Sequence, residues 1–160
     1  MAYRRIFTIN NENELQFLRK ISKPVVAFDD RLALLLDDMK DTLRRVQGAG
    51  LSAVQIGSLK RVFIIEEDGE MLEFVNPEII STSGKNKFLE EGCLSVPSAY
   101  GKVERPHKVK IKAQDRFGNW FTRTFTGFSA KAICHESDHL DGKLYIDYVP
   151  LDELTSTKKR

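Results

Sequence analysis

The segment Cys134-His135-Glu136-Ser137-Asp138-His139 contains H-E-x-x-H: two imidazoles four residues apart, with a carboxylate directly after the first. On an α-helix, residues i and i+4 share one face, so His135 and His139 can bind one metal ion. Glu136 then stands beside that ion, placed to take a proton from water and return it to a leaving group. The chain has three histidines, and two of them are here. The plainer reading is a pair of solvated histidines on a polar helix.

A hydrolytic metal site needs a third protein ligand and an open position for water. The metzincin spacing would place a histidine at position 145, where this chain has Tyr145. A thermolysin-like site needs a glutamate well downstream, and only Glu153, close to the end, remains. Cys93 is the better candidate. It sits in Glu91-Gly92-Cys93-Leu94-Ser95, with a glycine that allows close backbone approach and no apolar periodicity asking for a buried thiol. A metal would deprotonate that thiol. The competing reading is a buried, unreactive cysteine. Cys134 points about 100° around the helix from His135 and reads as packing.

Gly48-Ala49-Gly50-Leu51-Ser52-Ala53-Val54-Gln55-Ile56-Gly57 is a third segment of interest. Its glycines suit a tight backbone path beside a ligand, and a helix end followed by a loop explains them equally well. The lysine and Ser/Thr of a phosphate loop are missing. Gln55 offers an amide able to donate to a developing oxyanion.

Other elements must position these groups. A short helix is expected from about Glu12 to Lys20, started by Asn11 or Asn13 and stopped before Pro24. A longer one follows Asp29-Asp30, with Leu32, Leu35, Leu36, Met39, Leu43 and Val46 on one stripe and Gly48 or Gly50 ending it. Arg61–Ile65 and Met71–Val75 flank an Asp68-Gly69 turn and read as a hairpin. Ile79-Ile80 runs into a Ser-Thr-Ser-Gly turn. Val109, Ile111 and Ala113 alternate with polar residues as a half-buried strand. A turn at Asp115–Asn119 leads to a strand over Trp120–Thr126. The metal-binding helix is expected from about Phe128 to Leu140, with Gly142 as its C′ residue. Helices near both ends and strands between them predict an α+β fold with a mostly antiparallel sheet packed around the metal-binding helix.

Composition narrows the class. With 160 residues and 41% hydrophobic content, the chain suits one globular domain over 1–150, followed by a short tail at 151–160. The net charge is +2 and the basic residues are dispersed, so there is no footprint for tight nucleic-acid binding. No apolar run reaches membrane-span length, and no secretory h-region opens the chain. A cytoplasmic location is expected. Two cysteines in a reducing compartment suit ligands, nucleophiles or buried apolar groups better than a disulfide.

Taken together, Gly48–Gln55, Glu91–Ser95 and Cys134–His139 resemble the three motifs of the peptide deformylase family, G-x-G-L-A-A-x-Q, E-G-C-L-S and Q-H-E-x-D-H, in that order. The similarity extends through Val96-Pro97, Arg105-Pro106, Asp115–Gly118 and Asp138–Gly142. Ser52 replaces a usual alanine, a small-for-small exchange expected to be harmless. Cys134 replaces a usual glutamine, which removes one contact behind the metal and adds an oxidisable thiol.

The resemblance implies hydrolysis of the N-formyl group from N-terminal formylmethionine of new polypeptides, releasing formate. Cys93, His135 and His139 would bind the metal and Glu136 would be general base, then acid. Gln55 and the backbone N–H of Leu94 would hold the carbonyl oxygen. Gly48, Gly50, Glu91 and Gly92 would line the peptide groove, with Phe128, Lys131 (through its stem) and Ala132 walling the methionine pocket. The cofactor would be one divalent ion, Fe2+ natively, with Zn2+, Ni2+ or Co2+ as alternatives. The partners would be N-formylmethionyl nascent peptides, with a weak ribosome contact left open, no specific nucleic acid and no membrane. The rival readings are another metallo-amidase or peptidase, and a non-catalytic metal-binding relative.

Overall fold

The computed structural model describes residues 2–87 and 90–156. Helix α1 spans Glu12–Leu18 and is capped by Asn11, whose side chain accepts from the Glu14 N–H. Helix α2 spans Asp30–Val46, with the Asp29 carboxylate accepting from Arg31 and Leu32 N–H. The expected apolar stripe is its buried face, from Leu32 to Leu43. Its end differs from expectation. Gln47, not a glycine, takes the left-handed conformation and returns its N–H to the Leu43 carbonyl. The nearby glycines serve close approach instead: a Cβ at Gly48 would lie 3.0 Å from Leu43 and 3.1 Å from Leu94.

Strands β1 (Gly50–Ser52), β2 (Val62–Glu67), β3 (Glu70–Ser83), β6 (Lys108–Gln114) and β7 (Trp120–Thr126) form one antiparallel sheet in the order β1-β2-β3-β6-β7. The β2–β3 hairpin turns at Asp68-Gly69 as predicted, and β7 has the expected bounds. Strand β3 runs further than expected. Ser81–Ser83 pair with Lys108–Lys110, because backbone pairing does not require apolar side chains, and the turn falls at Gly84.

The apolar run of β2 has a structural reason. Val62 and Ile64 face the α2 layer, while Phe63 and Ile65 face helix α3 (Gly127–Leu140) on the other side. A strand covered on both faces has no polar side to show. Phe63 stacks on Phe74 at 4.8 Å, and each such fully buried ring contributes about 2–3 kcal/mol by burial. Helix α3 lays Ala130, Ile133, Cys134 and Leu140 on this layer and buries Glu136 and His139 as well.

Its C-terminal end is pinned. The Leu140 carbonyl accepts from Ser22 N–H at 2.8 Å and Arg61 Nη1 at 3.1 Å. Gly142 is left-handed, and a Cβ there would lie 2.3 Å from the Arg19 carbonyl oxygen, so only glycine permits this crossing. Arg19 then binds Asp147 at 2.7 and 2.8 Å.

A second antiparallel sheet, in the order β4-β5-β8, has no counterpart in the sequence reading. It joins β4 (Glu90–Cys93), β5 (Val96–Lys102) and β8 (Thr155–Ser156). Within the segment read as a tail from residue 151, Thr155 and Ser156 pair with Tyr100 and Ala99 of β5. Residues 158–160, considered for ribosome contact, lie outside the described residues. Among the described residues no helix is long and apolar enough to cross a membrane.

Candidate metal centre and active site

Helix α3 brings His135 and His139 onto one face, with ring centroids 5.1 Å apart. Strand β4 ends on Cys93, whose Sγ lies 3.3 Å from His139 Nε2. One ligand atom from each of the three residues lies within 4.8 Å of the other two. Cys134 is in the apolar core with Phe63 and Phe125, and burial pushes its thiol up to about 11. The two cysteines thus occupy different environments, one in the site and one in the packing.

The donor set fits a divalent ion. One thiol and two imidazoles are borderline-soft ligands suited to iron, zinc, nickel or cobalt. Burial and the neighbouring His135 charge push His139 well below the usual histidine range, so it is a neutral imidazole, the form that binds metal. Burial works against a charged His135, yet Cys93, Glu91 and Glu136 outweigh it and raise this ring well above the usual range. The acidic groups that favour positive charge on this nearly buried ring also favour a cation among the ligands.

Glu91 fixes the orientation of His135. Its Oε1 lies 2.9 Å from His135 Nδ1, so a neutral ring donates there and turns Nε2 towards the ligand cluster. Arg105 grips the same carboxylate, Nε to Oε2 at 2.7 Å and Nη2 to Oε1 at 3.1 Å, and donates to Asp138 at 2.8 Å. Burial would raise Glu91, but the His135 and Arg105 hydrogen bonds outweigh it and hold the carboxyl at about 2. Tyr145 stacks against His135 at 6.1 Å and donates its hydroxyl to the Ala99 carbonyl at 2.8 Å. Sequence reading assigned Arg105, Tyr145 and Asp138 no such role. Asp138 sits inside the histidine motif and Arg105 in the Arg105-Pro106 pair that shares the family resemblance, while Tyr145 carries no local signal.

Glu136 is 4% exposed, and burial raises its carboxyl above the usual range. Its Oε1 accepts from the Ser52 hydroxyl at 2.8 Å. A Cβ at Gly50 would lie 2.7 Å from Oε2, so any larger residue there would displace the carboxylate packed against it. Gln55 stands on a single 3-10 turn, Ala53–Ile56. Its Oε1 accepts from Ser52 N–H at 2.9 Å, which directs Nε2 to Ser95 Oγ at 3.0 Å and towards Cys93 Sγ at 3.7 Å.

A cavity of about 510 Å³ opens onto these groups. Gly48, Gly50, Gln55, Glu91, Gly92, Cys93, Leu94, Phe128, Lys131, Ala132, His135 and Glu136 all line it, and His139 lies buried beneath. Glu91 touches the cavity, but its carboxylate is committed to His135 and Arg105. Lys131 folds over the Phe128 ring and donates to the Glu90 carbonyl, leaving its stem as wall.

The sequence of residues 3–155 matches the family described as polypeptide deformylase. A peptide deformylase of Caldicellulosiruptor bescii is 52% identical over 149 residues, covering 93% of this chain and 87% of that one. The crystal structure of a peptide deformylase from Legionella pneumophila superposes with a TM-score of 0.87 at 44% identity, covering 95% of this chain and 89% of that one. A Met-Ala-Ser-bound class I type b peptide deformylase from Acinetobacter baumannii superposes with a TM-score of 0.84 at 32% identity, covering 92% and 99%. In sequence over nearly its whole length, and in fold, this chain belongs to the peptide deformylase family, metal-dependent hydrolases that remove the N-formyl group from the formylmethionine of new polypeptides.

Proposed function

We propose that Cys93, His135 and His139 hold the working ion, Fe2+ in the cell, and that Glu136 moves the protons of formyl hydrolysis. The observation that carries this reading is the placement of one buried carboxylate, Glu136, beside a Cys-His-His cluster at the floor of a peptide-sized cavity. When bound, the ion supplies Lewis acidity that acidifies water and polarises the formyl carbonyl. Glu136, whose burial favours holding a proton, takes one from the attacking water and returns it to the amine as the C–N bond breaks. Water and the formamide thus become formate and a free N-terminus. Gln55 Nε2 and the Leu94 N–H donate to the carbonyl oxygen as charge builds there.

Gly48, Gly50, Glu91 and Gly92 let the peptide backbone approach, while Phe128, the Lys131 stem and Ala132 receive the methionine side chain. The bound Met-Ala-Ser of the Acinetobacter baumannii relative supports a peptide in this cavity. Its counterparts here are formylated nascent chains, a substrate that supports work in the cytoplasm, with any ribosome contact weak. Two experiments test this. Formyl-Met-Ala-Ser is expected to be hydrolysed, with acetyl-Met-Ala-Ser and internal peptide bonds left intact. Glu136→Gln is expected to retain metal and lose on the order of 10²-fold or more in kcat. A metal-loaded Glu136→Gln enzyme with near-normal kcat would remove the proton role. Metal analysis of anaerobically purified protein, with activity per ion, tests iron.

A further inference from the structure

Strand β1 presents two residues to Glu136. Gly50 and Ser52 are two apart and share one face of the strand, while Leu51 between them turns into the α2 core. On the shared face, Gly50 leaves room for Glu136 Oε2, and the Ser52 hydroxyl reaches Oε1 at 2.8 Å. The same hydroxyl lies 2.9 Å from the Glu136 backbone carbonyl. Ser52 is fully buried, so solvent does not compete for these contacts, and the serine that the sequence reads as a harmless exchange for alanine adds a hydroxyl contact to Glu136. Its N–H meanwhile donates to Gln55 Oε1 at 2.9 Å. One residue therefore touches both side chains assigned to the chemistry: the base through its hydroxyl, and the oxyanion donor through its backbone.

We propose that Ser52 is a positioning residue for Glu136, its hydroxyl tying Oε1 to β1 so that Oε2 is held over Gly50 at the cavity floor. The proposal rests on the reading of Glu136 as the base. Glu136 projects from a helix on rotatable bonds, and an untethered carboxylate samples several rotamers. A hydroxyl donates one proton and accepts through two lone pairs. Donation to Oε1 selects one rotamer, and the nearby carbonyl anchors the hydroxyl when it turns. Only one carboxylate oxygen is used, so the other is left for proton transfer. Gln55 keeps its tether in any variant at position 52 except proline, because that bond uses the backbone N–H. The side chain of residue 52 can thus be tested without releasing the amide. Alanine at this position removes an atom and adds none, so it fits the space.

The experiment is a double-mutant cycle on metal-loaded enzyme with formyl-Met-Ala-Ser. Ser52→Ala is expected to lower kcat about tenfold, the usual size of a lost hydrogen bond to a charged group, with KM within about twofold and metal content unchanged. In the Glu136→Gln background, Ser52→Ala is expected to change the residual kcat by less than about twofold, since the carboxylate it positions is gone. An unchanged kcat in Ser52→Ala overturns the proposal. So does an equal loss in both backgrounds, or a fall in melting temperature and metal content that accounts for the loss, since either describes a merely structural serine. Failure of the underlying reading looks different. There, Glu136→Gln alone keeps near-normal kcat whatever residue stands at position 52.

Discussion

His135 Nδ1 and Glu91 Oε1 lie 2.9 Å apart, and the Glu91 carboxylate is held in turn by Arg105 at 2.7 and 3.1 Å. The proposed metal ligand His135 on α3 is thereby oriented from β4, the strand that also carries Cys93. Glu91→Gln keeps an acceptor for the ring but removes the charge that pairs buried Arg105. Metal affinity is expected to fall about 10–100-fold, the usual effect of altering a ligand's hydrogen-bond partner. Chelator competition measures it, with circular dichroism confirming the fold. Affinity equal to wild type would show that His135 needs no such orientation.

The two cysteines separate cleanly. Cys93→Ser replaces a thiolate with a far poorer anionic ligand, so metal is expected to be lost on desalting. Cys134→Ser places a hydroxyl among Phe63, Phe125 and Ile133, costing about 1–2 kcal/mol of stability while metal content stays near wild type. Metal analysis and thermal melts of both variants check this. Exchanged behaviour would reverse the assignment of the third ligand.

Gly50→Ala isolates the base from the metal. In an ordinary strand this change is neutral or mildly stabilising. Here the new Cβ would lie 2.7 Å from Glu136 Oε2 and 3.0 Å from its Cγ, so the carboxylate must move. A fall in kcat of about 10²-fold is expected, as for a misplaced catalytic group, with metal retained. Kinetics beside metal analysis decides it; unchanged kcat would mean the carboxylate position is not critical.

Glu73 offers a pH test far from the metal. It joins β3 to α2 through Lys40 Nζ at 2.6 Å, and to the β6–β7 turn through Arg116 at 2.5 and 3.2 Å. Burial would raise its carboxyl, but the Arg116 and Lys40 hydrogen bonds outweigh it and lower it. A folded value below the unfolded one means the stabilisation is complete above the ordinary carboxylate range, and is lost as pH falls through the folded value. Glu73→Gln is expected to cost about 1–2 kcal/mol at pH 7. The gap from wild type should close as the pH drops below about 4. Melting curves from pH 7 to 3 measure it; a gap constant with pH would rule out the charge as its source.

Local chemistry made much of this protein legible. The stripe from Leu32 to Leu43, the Asp68-Gly69 turn, the alternation of Val109, Ile111 and Ala113, and the exit of α3 at Gly142 each follow from a short-range rule of period, turn or cap. The spacing of His135 and His139 belongs to the same kind, because a helix places i and i+4 on one face whatever surrounds it. Strands β4 and β5 were not legible. Gly92, Pro97 and Gly101 interrupt any alternation, and the strands exist because they pair with each other and with β8. Gln47 takes the left-handed position that ends α2, while Gly48 beyond it lies close against Leu43 and Leu94.

The amino-acid sequence by itself determined the ligand types, the spacing of the two histidines and the carboxylate between them, since those depend on residue identity and helical period. Residue context already favoured Cys93 over Cys134, but only the tertiary structure brings Cys93 to the two histidines, sets Glu91 against His135 and Arg105, and puts the Ser52 hydroxyl on Glu136. These contacts span 84 positions between Ser52 and Glu136 and 44 between Glu91 and His135. No local rule reaches that far. The packing of α3 against β1, β2, β6 and β7, with the contacts it makes to β4, sets those distances, and a difference of one ångström separates a hydrogen bond from none.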